Sequence, residues 1–215
     1  MASHNAWTSS QGPLSQGRNR SKGVVRVVQW CDTTAIEKDF SSRGKLVRHV
    51  LGPWMLDREE RALKRLQDLA GIPLFLARPS RTRLLMERLD AKPLNSVETT
   101  GAPLPAGFFR RLEALVRRMH QLGVAQGDIG SGDVMILSDG SPGLVDFSVS
   151  AVPRPGPLGL PFRIASRHDI WRVARLHQRF APGDLEPHER RILVRKPAIF
   201  RWGRRLRPRA PGAGR

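Results

Sequence analysis

Three aspartates carry the strongest chemical signal in this sequence. Asp128 and Asp133 lie in Gln126-Gly127-Asp128-Ile129-Gly130-Ser131-Gly132-Asp133, and Asp146 lies in Leu144-Val145-Asp146-Phe147-Ser148. Asp133 follows Asp128 by 5 residues and Asp146 follows it by 18. All three read as loop residues beside short strands. A carboxylate in such a loop can orient an acceptor hydroxyl and take its proton, and Asp128 suits that role. Two further carboxylates can supply oxygen ligands to Mg²⁺, a hard cation, and Asp133 and Asp146 suit that one. Each aspartate alone could equally cap a turn or loop; their joint spacing is what favours chemistry.

The elements around them follow from pattern. Val24-Val25-Arg26-Val27-Val28 is short and β-branched, which predicts a strand. Asp32-Thr33-Thr34 predicts a turn, and residues 35–40 a second strand bearing Lys38. Leu56, Leu63 and Leu66, extended by Ala62, Leu69 and Ala70, recur at helical spacing, and Gly71-Ile72-Pro73 stops that helix. It carries Glu59 and Glu60. Residues 74–77 and 83–89 predict a second hairpin, and 91–107 a polar connector. Phe109, Leu112, Leu115, Val116 and Met119 predict a helix over 108–122, with Gly123 as its C-cap. After the short strand Val124-Ala125 comes the aspartate loop. Residues 134–137 and 143–145 then flank the hairpin turn Asp139-Gly140-Ser141-Pro142. Residues 153–161 read as a Pro/Gly loop and 164–180 as a third helix. The order, β-rich first and mainly helical later, predicts an α+β fold with two lobes.

On these residues the chain resembles a family. Lys38-Asp39-Phe40, Arg58-Glu59-Glu60-Arg61-Ala62-Leu63, the two aspartate loops, Trp171-Arg172-Val173-Ala174-Arg175 and Lys196-Pro197-Ala198-Ile199-Phe200-Arg201-Trp202 are similar to the small bacterial kinases of the protein-kinase-like superfamily. Within it, the chain looks most like lipopolysaccharide-core (Kdo-type) and RIO-like serine/threonine kinases, over about residues 24–206. The resemblance implies a two-lobe protein-kinase-like fold. It would have a small β-rich N-lobe over residues 23–89 and a mainly helical, truncated C-lobe over 90–189. It implies ATP as donor, Mg²⁺ as cofactor, Lys38 paired with Glu59 (preferred to Glu60) to hold phosphates, and a catalytic Asp128. Asp133 and Asp146 become the metal ligands. Met86-Glu87-Arg88-Leu89 becomes an adenine-binding hinge, with Glu87 and Leu89 as cofactor-binding residues. The sequence departs from the family pattern at Gln126, Asp133 and Ser148, where His, Asn and Gly are usual, and in having no G-x-G-x-x-G before Lys38. Those departures motivate a second reading, a non-catalytic nucleotide-binding pseudokinase scaffold. After Ser148 come 67 residues with no A-P-E, which tilts the acceptor toward a lipopolysaccharide-type sugar or other small hydroxyl compound, with protein Ser/Thr retained.

Plainer readings stand beside these. A lysine on a strand is usually a surface residue, and Glu60 with Lys64 makes an ordinary i,i+4 pair. Asp139 is a turn residue. His120 reads as a helix-end packing or dipole residue. Asp169 is expected to be structural, and bracing the aspartate loop is one such role. Cys31 is a lone thiol, so it forms no intrachain disulfide and no cysteine zinc cluster. The six histidines show no H-E-x-x-H spacing. No apolar run approaches a membrane span, and residues 1–23 do not read as a secretory signal. The expected compartment is cytoplasmic, with a peripheral position on the inner face of the cell membrane as the alternative.

Charge points to the ends of the chain. The 215 residues carry a formal +18 at pH 7. Four basic residues lie in 1–31 and ten in 190–215, with no acid in either, which leaves +4 for 32–189. Residues 1–22 read as a disordered basic arm. The basic segment 190–215, with Ile192, Leu193, Ile199, Phe200, Trp202 and Leu206 interleaved, suits an anionic membrane surface, or else packs back on the body. Nucleic acid is the lesser alternative partner, in which case the chain is a basic nucleic-acid-binding protein.

Overall fold

The computed structural model describes the side chains of residues 23–152 and 159–194, and the backbone course of 7–16. It is an α+β fold with a small antiparallel sheet region followed by helices. Five strands form the larger sheet in the order β1-β2-β3-β5-β4, every pair antiparallel: β1 (Trp7–Gln16), β2 (Val24–Trp30), β3 (Thr33–Asp39), β4 (Phe75–Ser80) and β5 (Arg83–Glu87). A smaller sheet joins β6 (Ala91–Pro93), β7 (Val134–Leu137) and β8 (Pro142–Leu144).

The central strand β3 sets the geometry. It alternates, as a strand must. Ala35, Glu37 and Asp39 face one side, where Ala35 packs with Val28 and Leu85. Ile36 and Lys38 face the other, beneath α1 (Gly52–Arg65). A π-helical turn, Val47–Leu51, leads into α1. Gly52 lies against Phe40, so close that a Cβ would meet the ring at 2.7 Å. From there α1 buries Leu56, Glu59, Ala62 and Leu63.

The second half is built on α3 (Phe108–Gln121) and α4 (Leu160–Phe180), which α2 (Ser96–Thr100) and α5 (Pro187–Val194) supplement. The helical period read from Phe109, Leu112, Leu115, Val116 and Met119 is the buried face of α3. One apolar core runs through both regions, from Phe40, Leu56 and Leu84 to Leu112, Val134, Phe147 and Leu176. Among the described residues no helix is long and apolar enough to cross a membrane.

Several expectations need correction. Trp7–Gln16, read as disordered arm, is strand β1 and pairs with β2 from Trp7↔Trp30 to Gln16↔Val24. The segment has few apolar residues, so its own sequence gave no strand signal. It is ordered by the free edge of β2, and its register shifts on both sides of Pro13, as proline in an edge strand demands. The first hairpin turns at Cys31-Asp32, with Cys31 at φ +49 and exposed, and Thr33 and Thr34 already belong to β3. The connector 91–107 holds β6 and α2, because the edge of β7 was open to pairing. Helix α4 starts at Leu160, inside the expected loop. The basic segment expected from residue 190 begins inside α5; residues 195–215, like 1–6, 17–22 and 153–158, lie outside the described residues.

Candidate active site

A cleft of about 610 Å³ lies between the larger sheet, α1 and the smaller sheet. That volume is in the range of small-molecule sites, about 300–1,000 Å³. Its apolar walls include Val25, Ile36, Met86, Leu89, Met135 and Val145. Six of the residues singled out from the sequence line it: Lys38, Glu59, Glu87, Leu89, Asp133 and Asp146. Asp128 does not; it is exposed on the loop that leads to Asp133.

Lys38 is the hub. Its Nζ donates to Glu59 Oε1 at 2.6 Å and to Asp146 Oδ1 at 3.1 Å. Burial alone would lower its pKa, but the carboxylates of Asp146 and Glu59 outweigh burial and hold it above the ordinary lysine value. It is a fixed cation. Glu59 is fully buried, and burial pushes its pKa up while Lys38 opposes the shift. Its Oε1 also accepts from the Phe147 N–H at 3.2 Å, whereas its Oε2 is buried with no hydrogen-bond partner. Glu60, the other candidate, points away and pairs with Lys64 and Arg78.

Asp133 and Asp146, the aspartates expected to bind metal, are brought together by the β7–β8 hairpin. Asp133 precedes β7 and Asp146 follows β8, so both sit at the open end of the hairpin, opposite its Asp139 turn. The Val145 N–H donates to the Asp133 carbonyl at 2.9 Å and closes that end. Asp133 Oδ2 accepts from the Gly130 N–H at 2.9 Å, and a Cβ on Gly130 would lie 2.8 Å from that oxygen, so a side chain there would push the carboxylate aside. Asp146 has φ +64, a left-handed conformation that aspartate tolerates better than most side chains. Ser148 Oγ donates to Asp146 Oδ1 at 2.6 Å, so the serine at this position grips the carboxylate.

The Asp128 loop is braced from below. Asp169 on α4, with no exposure, accepts from the N–H groups of Gln126 and Gly127, both at 2.8 Å, and contacts His120 Nε2 at 3.0 Å. The bracing reading of Asp169 is thus the observed one, and His120 acts with it. Gly127 has φ +89, and its carbonyl lies 2.9 Å from His168 Nδ1. Gln126 Nε2 donates to the Asp146 carbonyl at 3.0 Å, while its Oε1 accepts from the Asp128 N–H at 2.9 Å. One buried glutamine therefore links Asp128 to Asp146. Arg172 donates to the Ile129 carbonyl.

Sequence reasoning missed Ser148, His168 and Arg172 as clamps. His168 and Arg172 act across 41 and 43 residues, which no local pattern encodes, while Ser148 acts on Asp146 two residues away. In the expected hinge, the Glu87 N–H is already donated to the Leu74 carbonyl at 2.9 Å, and its side chain accepts from the Leu74 N–H at 3.0 Å.

Among the described residues no cluster of three or more His, Cys, Asp or Glu could hold a metal by itself. Mg²⁺ makes a smaller demand: one or two carboxylates, with phosphates and water completing its shell. Asp133 and Asp146 in one cleft fit that demand. The arrangement can hold a polyanion on Lys38 with a divalent cation on the two aspartates. No protein-family model and no curated protein matches the sequence, and the reading of the site therefore stands on this geometry.

Proposed function

We propose that the protein is an ATP-dependent phosphotransferase with a two-lobe protein-kinase-like fold, moving the γ-phosphate to a hydroxyl acceptor. The observation that carries this is Lys38 Nζ held between Glu59 and Asp146 inside a cleft with apolar walls. Bound Mg-ATP would supply the transferable phosphoryl group and the charge neutralisation that its departure needs.

The chain's own residues then have defined tasks. Lys38 stabilises phosphate oxygens, and Glu59 fixes the lysine. Asp133 and Asp146 hold the cation. The apolar walls receive the base, with Glu87 and Leu89 at its edge. Asp128 orients the acceptor hydroxyl and takes its proton; its exposure leaves it open to an acceptor arriving from solvent. A lipopolysaccharide-type sugar or a protein Ser/Thr hydroxyl both fit such an open approach.

The test is labelled-ATP turnover with cell-envelope and protein extracts as acceptors. Asp128→Asn is expected to lower transfer by about 10²–10⁴-fold with nucleotide binding retained. Because Asp128 is exposed, the unfolding free energy should stay within the effect of a surface change, about 0.5 kcal/mol. Equal transfer by the variant and the parent protein would sink the assignment of Asp128.

A second reading has its own support. Ser148 Oγ occupies Asp146 Oδ1 at 2.6 Å, and Asp128 lies outside the cleft lining. Both suit a nucleotide-binding scaffold that does not transfer phosphate. Mg-ATP raising the melting temperature with no labelled product from either extract would favour it.

A further inference from the structure

We propose that the exposed face of the π-helical turn and the first turn of α1 docks on an anionic bilayer surface. Leu46, Val50 and Trp54 recur every fourth residue, and they are 67%, 55% and 48% exposed. Leu51 adds to them at 38%. No residue of the turn Val47–Leu51 is buried. A surface helix normally turns its apolar residues inward and its polar ones out. Here the inward side is already filled by Gly52, Pro53, Leu56 and Glu59, and a second apolar stripe faces solvent.

Charge selects the occupant. Arg43, Lys45 and Arg48 lie between Phe40 and Leu56, with His49 among them and no acid. Lys45, Arg48 and His49 are exposed beside the apolar stripe. Of the acids on α1, Asp57 and Glu60 are engaged by Arg78 at 2.9 and 3.3 Å, and Glu59 is buried against Lys38. A nucleic acid would use the cations but gains nothing from bare leucine and valine. A second copy of the chain would bring the same cations against themselves. An anionic bilayer takes both: apolar side chains and the indole enter the headgroup boundary, and the cations meet the headgroups.

The face is also tied to the cleft. The Arg58 guanidinium stacks 4.2 Å from the Trp54 ring and donates to the Ser150 carbonyl at 2.8 Å, four residues past Asp146. Docking at Trp54 therefore bears on the helix that carries Glu59. That consequence rests on the proposed function; the docking itself does not.

The test is co-sedimentation of the full-length protein, without nucleotide, with vesicles of phosphatidylglycerol and phosphatidylcholine or of phosphatidylcholine alone. The parent protein should bind the mixed vesicles and not the neutral ones. Lys45→Gln with Arg48→Gln should weaken binding about 30-fold, since each surface cation contributes roughly five-fold. Leu46→Ser with Val50→Ser should weaken it about ten-fold or more. Arg204→Gln with Arg205→Gln, in the basic C-terminal segment, is the comparison and should have the smaller effect. Unchanged binding in both face variants with loss in the C-terminal one would overturn the proposal. So would equal binding to neutral vesicles. Absence of vesicle binding, with self-association or polynucleotide binding lost in the face variants, would do the same. ATP turnover, measured separately, reports on the proposed function whichever way sedimentation falls.

Discussion

The two faces of strand β3 each carry a buried charge cluster, and they are built differently. On the inner face Lys38 meets Glu59 and Asp146 at the wall of the cleft. On the outer face Glu37 and Asp39, 4% and 2% exposed, meet Arg26 and Arg83, whose guanidinium groups reach toward solvent. Asp39 is also saturated locally: Ser41 donates to it from its N–H at 2.7 Å and its Oγ at 2.9 Å. Each cluster keeps one buried carboxylate oxygen without a hydrogen bond, Glu37 Oε1 outside and Glu59 Oε2 inside, but only the inner one sets its cation at a cleft. Pairing alone does not mark a functional charge, because both clusters are paired. What sets the inner one apart is a fixed cation at the wall of a cleft that a ligand could enter.

That contrast can be tested from its strongest consequence down. Lys38→Met should cut ATP turnover by about 10²–10³-fold and abolish the nucleotide-induced rise in melting temperature. It should also destabilise the fold, since it leaves Glu59 and Asp146 without their cation, at a cost of up to about 3–5 kcal/mol for a buried pair broken on one side. Retained turnover in this variant would remove the distinction between the faces.

Asp39→Ala should do the opposite: lower stability by about 1–3 kcal/mol in chemical denaturation, with nucleotide affinity unchanged. Its pH signature has a definite sign. Burial would raise the Asp39 pKa, but the Ser41 hydrogen bonds and the Arg83 and Arg26 charges prevail and hold it below the ordinary value of 3.8. The ionised form is thus favoured by folding. The stabilisation is fully present above the unfolded value and is lost as pH falls through the folded one. The parent protein should lose stability more steeply than Asp39→Ala below pH 3.8. Parallel curves would show that Asp39 gains nothing from its partners.

The smallest effect belongs to Glu37. Burial raises its pKa above 4.5 against the Arg83 and Arg26 charges, and its Oε1 is buried without a hydrogen bond. Folding therefore favours its protonated form. Glu37→Gln should be neutral or stabilising by up to about 1 kcal/mol at neutral pH, measured by thermal melting. A clear loss would show that the outer face needs both carboxylates.

The sequence made the inner cluster legible but not the outer one. Asp146 stood out by its spacing from Asp128 and Asp133, whereas Lys38 and Glu59 were singled out only through a resemblance. Glu37 and Asp39, one residue to either side of Lys38, were assigned no role, because alternation along β3 sends them to a face whose arginine partners come from β2 and β5. The preference for Glu59 over its neighbour came from a resemblance. In the structure one helical step of about 100° divides them: Glu59 turns inward to Lys38 and Glu60 outward to Lys64. Strand β1 was illegible because a polar segment becomes a strand only when an unpaired edge recruits it.

Local chemistry settled the elements that are periodic in themselves. The apolar face of α3, the β-branched run of β2 and the Asp139-Gly140 turn are each written in neighbouring residues, since their hydrogen bonds and burial repeat within a few positions. The site is not local in that sense. Lys38 reaches Glu59 across 21 residues and Asp146 across 108, and Asp169 supports Gln126 across 43. Residue types named the participants, but only the packed core, by holding β3, α1, the β7–β8 hairpin and α4 together, could decide that six of them share one cleft and that Asp128 faces solvent beside it.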